Sequence, residues 1–99
     1  MATLHVVSHS PFADTRLDSC LRLLGNDDGV LLCGDATYAL MPSSVQLKAL
    51  QSLVDSSQLF ALDEDLSARN LPLPAGVSSI DYPAFVELSL RFDKVNTWL

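Results

Sequence analysis

Residues 58–71 read Gln58-Leu59-Phe60-Ala61-Leu62-Asp63-Glu64-Asp65-Leu66-Ser67-Ala68-Arg69-Asn70-Leu71, and the way this stretch changes character decides the fold class. Gln58 to Leu62 is a short apolar run with no turn residue inside it. That is the pattern of a strand buried on both faces, such as a central strand of a parallel sheet. The run stops at Asp63-Glu64-Asp65, and Leu66 to Arg69 then reads as a turn or two of helix. Acids in a first turn oppose the positive end of the helix dipole, and Asp65 with Arg69 makes a stabilising i,i+4 pair. A strand handing over to an acid-started helix is half of a βαβ unit. The three carboxylates also admit a metal-site reading, beside the plainer one of helix capping.

Working outward, the alternation continues in both directions. Thr3 to Ser8 reads as a first strand, and Ser10-Pro11-Phe12 turns the chain. A helix from Thr15 to Leu24 follows, with Thr15 as its cap, Asp18 in the reciprocal position and Gly25 as a left-handed stop. Leu17, Cys20, Leu21 and Leu24 share one of its faces. Asn26 to Gly29 is a turn, and Val30 to Cys33 a second buried strand closed by Gly34-Asp35. Ala36 to Met41 is ambiguous, a short helix at most. Pro42-Ser43-Ser44 opens a helix to about Val54. Downstream, Leu71 to Gly76 is a loop with two prolines, Val77 to Ile80 a fourth strand, and Tyr82 to Phe92 a helix burying Phe85, Leu88 and Phe92. Val95 to Leu99 fits a fifth, edge strand. Strands alternating with helices imply an α/β fold, a three-layer sandwich with a mostly parallel sheet of about five strands and right-handed crossovers. Residues 1–99 read as one domain, without repeats or low-complexity tracts.

Composition narrows the function. The 99 residues carry 12 acids against six Lys and Arg, a net charge of −6. The cations are scattered, so the chain lacks the clustered charge that displaces phosphate counterions and is not expected to bind nucleic acid itself. Hydrophobic residues make up 48% and mean hydropathy is +0.26, apolar for so small a domain, which implies surface buried against another protein. No apolar run approaches the roughly 20 residues of a membrane span. The N-terminus shows no basic segment ahead of an apolar block, and with two cysteines the expectation is reduced thiols in a cytoplasm.

In an open α/β sheet, sites form outside the carboxyl ends of the strands. That edge should collect His9 and Ser10, Cys33 to Asp35, Asp63 to Asp65, and Asp81. Cysteine, histidine and carboxylate together suggest a nucleophile, a base and an orienting acid, hence an independent thiol enzyme or ligand-binding domain centred on Cys33. The plainer readings make Cys33 a small core residue and His9 a turn residue. A phosphate-accepting receiver domain is excluded, because Asp27-Asp28 precede the second strand and so lie at the opposite edge. Cys20 falls on the inward face of the first helix, beyond the first turn where the dipole lowers a thiol pKa.

The chain also resembles a known family. Ala61-Leu62, Asp65-Leu66, Ala68-Arg69 and Leu71, followed by Ile80-Asp81-Tyr82 and Phe85-Val86, match the pattern A-L-x-x-D-L-x-A-R-x-L and then V/I-D-Y-x-x-F-V of the TusB/DsrH family, the small subunit of bacterial sulfur-relay complexes. Leu4-His5, Ser10-Pro11-Phe12 and Leu21-Arg22 to Leu24 fit its opening, and Trp98 its end. The resemblance implies a three-layer α/β sandwich and a non-catalytic or accessory subunit; no cofactor or metal is expected. It implies a heterohexamer with TusC- and TusD-like homologous subunits. Such a complex takes sulfur from a TusA-like donor and passes it as persulfide to a TusE/DsrC-like acceptor, for 2-thiolation of a tRNA wobble uridine or for sulfur oxidation. The DsrH branch carries a cysteine in an S-P-F…S-C-L pattern that Ser10-Pro11-Phe12 and Ser19-Cys20-Leu21 match, which makes Cys20 the candidate sulfur-handling residue. Gly34-Asp35 departs from the family's Asp-Gly after the second strand, and Cys33 matches no family cysteine.

Overall fold

The computed structural model describes residues 2–10, 12, 15–25, 27–42, 44–53, 58–74 and 76–98. Five strands, β1 (Thr3–Val7), β2 (Gly29–Leu32), β3 (Leu59–Leu62), β4 (Ser78–Ile80) and β5 (Lys94–Trp98), form one sheet in the order β4-β3-β2-β1-β5. Every neighbouring pair is parallel. The sheet is therefore wholly parallel, and its centre is β2 rather than the Leu59–Leu62 run, which lies one place from the β4 edge. Four-residue runs without polar interruption suit both positions: β2 and β3 are buried throughout.

The direction of travel through the sheet fixes where the helices lie. From β1 to β4 the chain steps one strand at a time, through α1 (Arg16–Arg22), a 3₁₀ helix (Gly34–Leu40), α2 (Val45–Leu53) and α3 (Asp63–Ala68). Right-handed crossovers in one direction put these elements on one face. Leu17, Cys20, Leu21, Leu40, Leu47, Leu50 and Leu66 accordingly share a core with Val7, Val30, Leu32 and Ala61. The step from β4 to β5 runs back across the whole sheet, so α4 (Tyr82–Arg91) lies on the other face. There Leu88, with Phe85 and Phe92, packs on Leu4, Val6, Leu31, Phe60 and Leu62. Phe92 presses on the start of β2, where a Cβ in place of the Gly29 hydrogen would come within 2.6 Å of the ring.

Local chemistry sets the helix ends. Ser44 Oγ accepts the Leu47 N–H (3.3 Å) to start α2, and Asp81 Oδ1 accepts the Ala84 N–H (2.9 Å) to start α4. Two expected devices differ. Thr15 precedes α1 but makes no side-chain cap, and α1 ends at Leu23 with ordinary right-handed backbone, so Gly25 is not a left-handed stop. Gly25 instead donates its N–H to Asp28 Oδ2 (2.9 Å). The ambiguous segment after the second strand is the 3₁₀ helix, started by Gly34 at φ +53°. The expected ends at Val54 and Leu99, and the turn positions Pro11, Asn26, Ser43 and Ala75, lie outside the described residues. No described helix is long and apolar enough to cross a membrane.

Candidate functional site

The carboxyl edge of the sheet does gather part of the expected cluster. The Cys33 N–H bonds the Val7 carbonyl (3.0 Å), extending the β1–β2 ladder by one residue, and Cys33 Sγ lies 3.7 Å from the same oxygen. The left-handed turn at Gly34 then aims its N–H at Asp65 Oδ2 (2.8 Å). Arg69, one helical turn after Asp65, reaches it at 3.6 Å and grips Asp35 Oδ1 through Nη2 (2.8 Å) and Nε (3.2 Å). Its guanidinium also stands over the Tyr38 ring at 5.7 Å. This is a clamp that pins the 3₁₀ helix to α3. Around Cys33 the structure thus gathers Gly34, Asp35 and Asp65, and both acids are engaged by backbone or guanidinium. Burial, and then the Asp65 carboxylate, push the Cys33 thiol up against a smaller opposing pull from Arg69, so the reactive thiolate is disfavoured.

The other members divide. His9 stands after β1, and its Nδ1 is buried without a hydrogen-bond partner among the described residues. Asp81 is the α4 cap. Asp63 and Glu64 are exposed in the first turn of α3, and no three His, Cys, Asp or Glu among the described residues are placed to hold a metal. Asp63 and Glu64 lie in the first turn of α3, which starts after Leu62 without a side-chain cap, while Asp65 is engaged by the Gly34 N–H and Arg69.

Cys20 is fully buried in the core beneath α1. Burial, reinforced by the nearby Asp28 charge, pushes its thiol up to about 12. While α1 is docked, Cys20 carries no thiolate at neutral pH. The two free thiols belong to opposite faces of the sheet, Cys20 to the α1 side and Cys33 to the edge of the α4 side.

Sequence reasoning missed a buried polar chain near the opposite edge. His5 sits in the middle of β1 with 6% exposure, its Nε2 3.2 Å from Asp28 Oδ2. Trp98 Nε1 donates to His5 Nδ1 (3.1 Å). Asp28 further accepts the N–H of Thr3 (2.9 Å) and of Gly25. Burial alone would raise the Asp28 carboxyl, but the backbone donors and His5 outweigh it and hold it below the usual carboxylate range. The available signal was a histidine inside an otherwise apolar strand, which demands a partner.

The last feature is a surface. On α4, Tyr82, Val86 and Leu90 recur at i, i+4 and i+8 on a flank not used for the core, and Leu90 is 81% exposed. Val95, in register with Leu4, adds a further exposed apolar group to the same side of the sheet.

Comparison with known proteins agrees with this architecture. A protein-family model described as "DsrH like protein" matches residues 9–95. Among solved structures, the crystal structure of the ychN protein from E. coli superposes with a TM-score of 0.77 at 22% identity, over 99% of this chain and 100% of that one. No curated protein matches.

Proposed function

The chain belongs to the DsrH-like family, and from that premise we propose that it is an accessory subunit of a sulfur-relay complex, buried against homologous α/β partners. The observation that carries this reading is the apolar flank of α4. A stripe of Tyr82, Val86 and Leu90 beside Val95 is costly to leave in water and matches what subunit docking needs. TusC- and TusD-like chains are the partners in this reading, with a TusA-like donor and a TusE/DsrC-like acceptor visiting the assembly. The product is 2-thiouridine in tRNA, the tRNA being held by another protein because this chain carries a net charge of −6.

The state of the thiols supports an accessory part. A sulfur acceptor works as an accessible thiolate, and here both thiols are pushed up by burial. Cys20, the cysteine offered by the resemblance, takes sulfur only when α1 lifts from the sheet. Co-expression with two homologous subunits, followed by native mass spectrometry, tests the proposal. A stable heteromeric complex is expected. A monomer that ignores both partners would end this reading.

A further inference from the structure

We infer that the Trp98–His5–Asp28 chain is a proton-operated latch on β5: neutral His5 holds the strand closed, and protonated His5 releases its Trp98 end. The inference stands apart from the sulfur-relay reading and rests on hydrogen-bond geometry alone.

β5 needs such a fastening. It is an edge strand, exposed at four of its five residues, and Trp98 is the one that packs into the α1-side core. The indole N–H is a donor only. Its bond to Nδ1 therefore requires a lone pair there, which puts the imidazole hydrogen on Nε2, where it is donated to Asp28. A second proton has one place to go, Nδ1, and there it confronts the indole N–H, donor against donor. At the other nitrogen the same proton strengthens the contact, because imidazolium to carboxylate is charge-assisted. Protonation thus loosens one end of the chain and tightens the other. His5 stays with Asp28, and Trp98 leaves.

Among the described residues, the surroundings supply no second acceptor for the Trp98 indole. Asp28, from the turn before β2, is already committed to Thr3, Gly25 and His5. Cys20 on α1, which feels the Asp28 charge, is neutral. β2 carries no charged side chain, and β5 presents Asn96 in register with His5. The start of β5 is held separately, since Asp93 Oδ2 accepts the Ala2 N–H (2.9 Å) and the Asp93 N–H bonds the Ala2 carbonyl (2.9 Å). Release is therefore confined to the carboxyl end of β5. Since the added proton is what breaks the Trp98 contact, the sign is that acid opens the latch.

The chain has one tryptophan, so a ¹⁵N-labelled full chain gives a single indole resonance that reports on the latch directly. Hydrogen exchange of that N–H and of the β5 amides, referred to the β2 amides and corrected for intrinsic rates, is compared at about pH 8 and about pH 5. Loss of one hydrogen bond should lower the relative protection about three- to tenfold in acid. Trp98→Phe, which removes the donor, should leave the β5 amides weakly protected at both pH values. His5→Asn, which keeps an acceptor near the Nδ1 position without a titrating proton, should abolish the response. Should His5→Asn fail to fold, Trp98→Phe still decides. Equal protection of wild-type β5 at both pH values, or a full acid response surviving in Trp98→Phe, overturns the latch.

Discussion

Asp28→Asn changes the buried network by one atom and a charge, so its effect can be worked out bond by bond. In the wild type, Asp28 Oδ1 accepts Thr3 N–H, and Oδ2 accepts Gly25 N–H and the His5 ring. An amide must place its NH₂ at one of those oxygens. The less costly choice is Oδ1, which leaves the Thr3 N–H facing a donor, at about 1–3 kcal/mol for an unsatisfied buried group. The two surviving bonds become neutral rather than charge-assisted, adding roughly 1 kcal/mol between them. The sum is about 3 kcal/mol, a large share of the ~5–15 kcal/mol that holds a domain folded. For a chain of this size it corresponds to a Tm lowered by roughly 12–24 °C, measured by circular dichroism at neutral pH.

Acid supplies a second readout of the same substitution. A carboxyl whose folded pKa is depressed contributes stability above its unfolded value, about 3.9, and that contribution is lost as pH falls through the folded value. Asparagine has nothing to lose there, so the gap between the two proteins should narrow below about pH 4. An Asn variant within about 5 °C of wild type at neutral pH, or a gap that stays constant into acid, would refute the account of Asp28.

Leu50→Ala empties a fully buried site under α2 and should cost about 2–5 kcal/mol in urea unfolding. Leu90→Asp, on the exposed flank of α4, should change stability by less than about 0.5 kcal/mol yet prevent assembly with homologous subunits on a sizing column. Thiol labelling of the native chain should modify Cys33 slowly and Cys20 only on unfolding, as peptide mass spectrometry would report. Cys33→Ser should leave sulfur transfer through an assembled complex nearly intact; its loss with assembly preserved would restore the thiol-enzyme reading of the carboxyl edge.

The sequence spoke most clearly where burial alone decides. Leu59–Leu62 and Val30–Leu32 are runs that only a doubly covered strand explains, and the i,i+4 spacing of Asp65 and Arg69 is realised in the fold. It misled where a side chain's partner lies far along the chain. Asp28 reads as a turn residue beside Gly29, yet its partners include Thr3 and His5, more than twenty residues upstream. Gly25 fitted a helix stop by position, but Asp28 claims its N–H and the helix closes on Leu23. The contact between Trp98 and His5 spans 93 positions, beyond any local pattern. At the carboxyl edge Asp35 and Asp65 were foreseen but not their full engagement: Arg69 ties Asp65 to Asp35, and Asp65 also accepts the Gly34 N–H.

The return of the chain from β4 across the sheet to β5 also imposes an order of assembly in time. β1 lies between β2 and β5, so one of its two hydrogen-bonding sides has no strand beside it until residues 94–98 have been made. At roughly 5–20 residues per second, the 93 positions from His5 to Trp98 take about 5–19 s to synthesise. During that interval β1–β4 can pair and the α1 side can close, while the far side of β1 stays open to any passing strand. The far side of β1 is thus exposed to mispairing until residues 94–98 emerge, and their pairing removes that hazard.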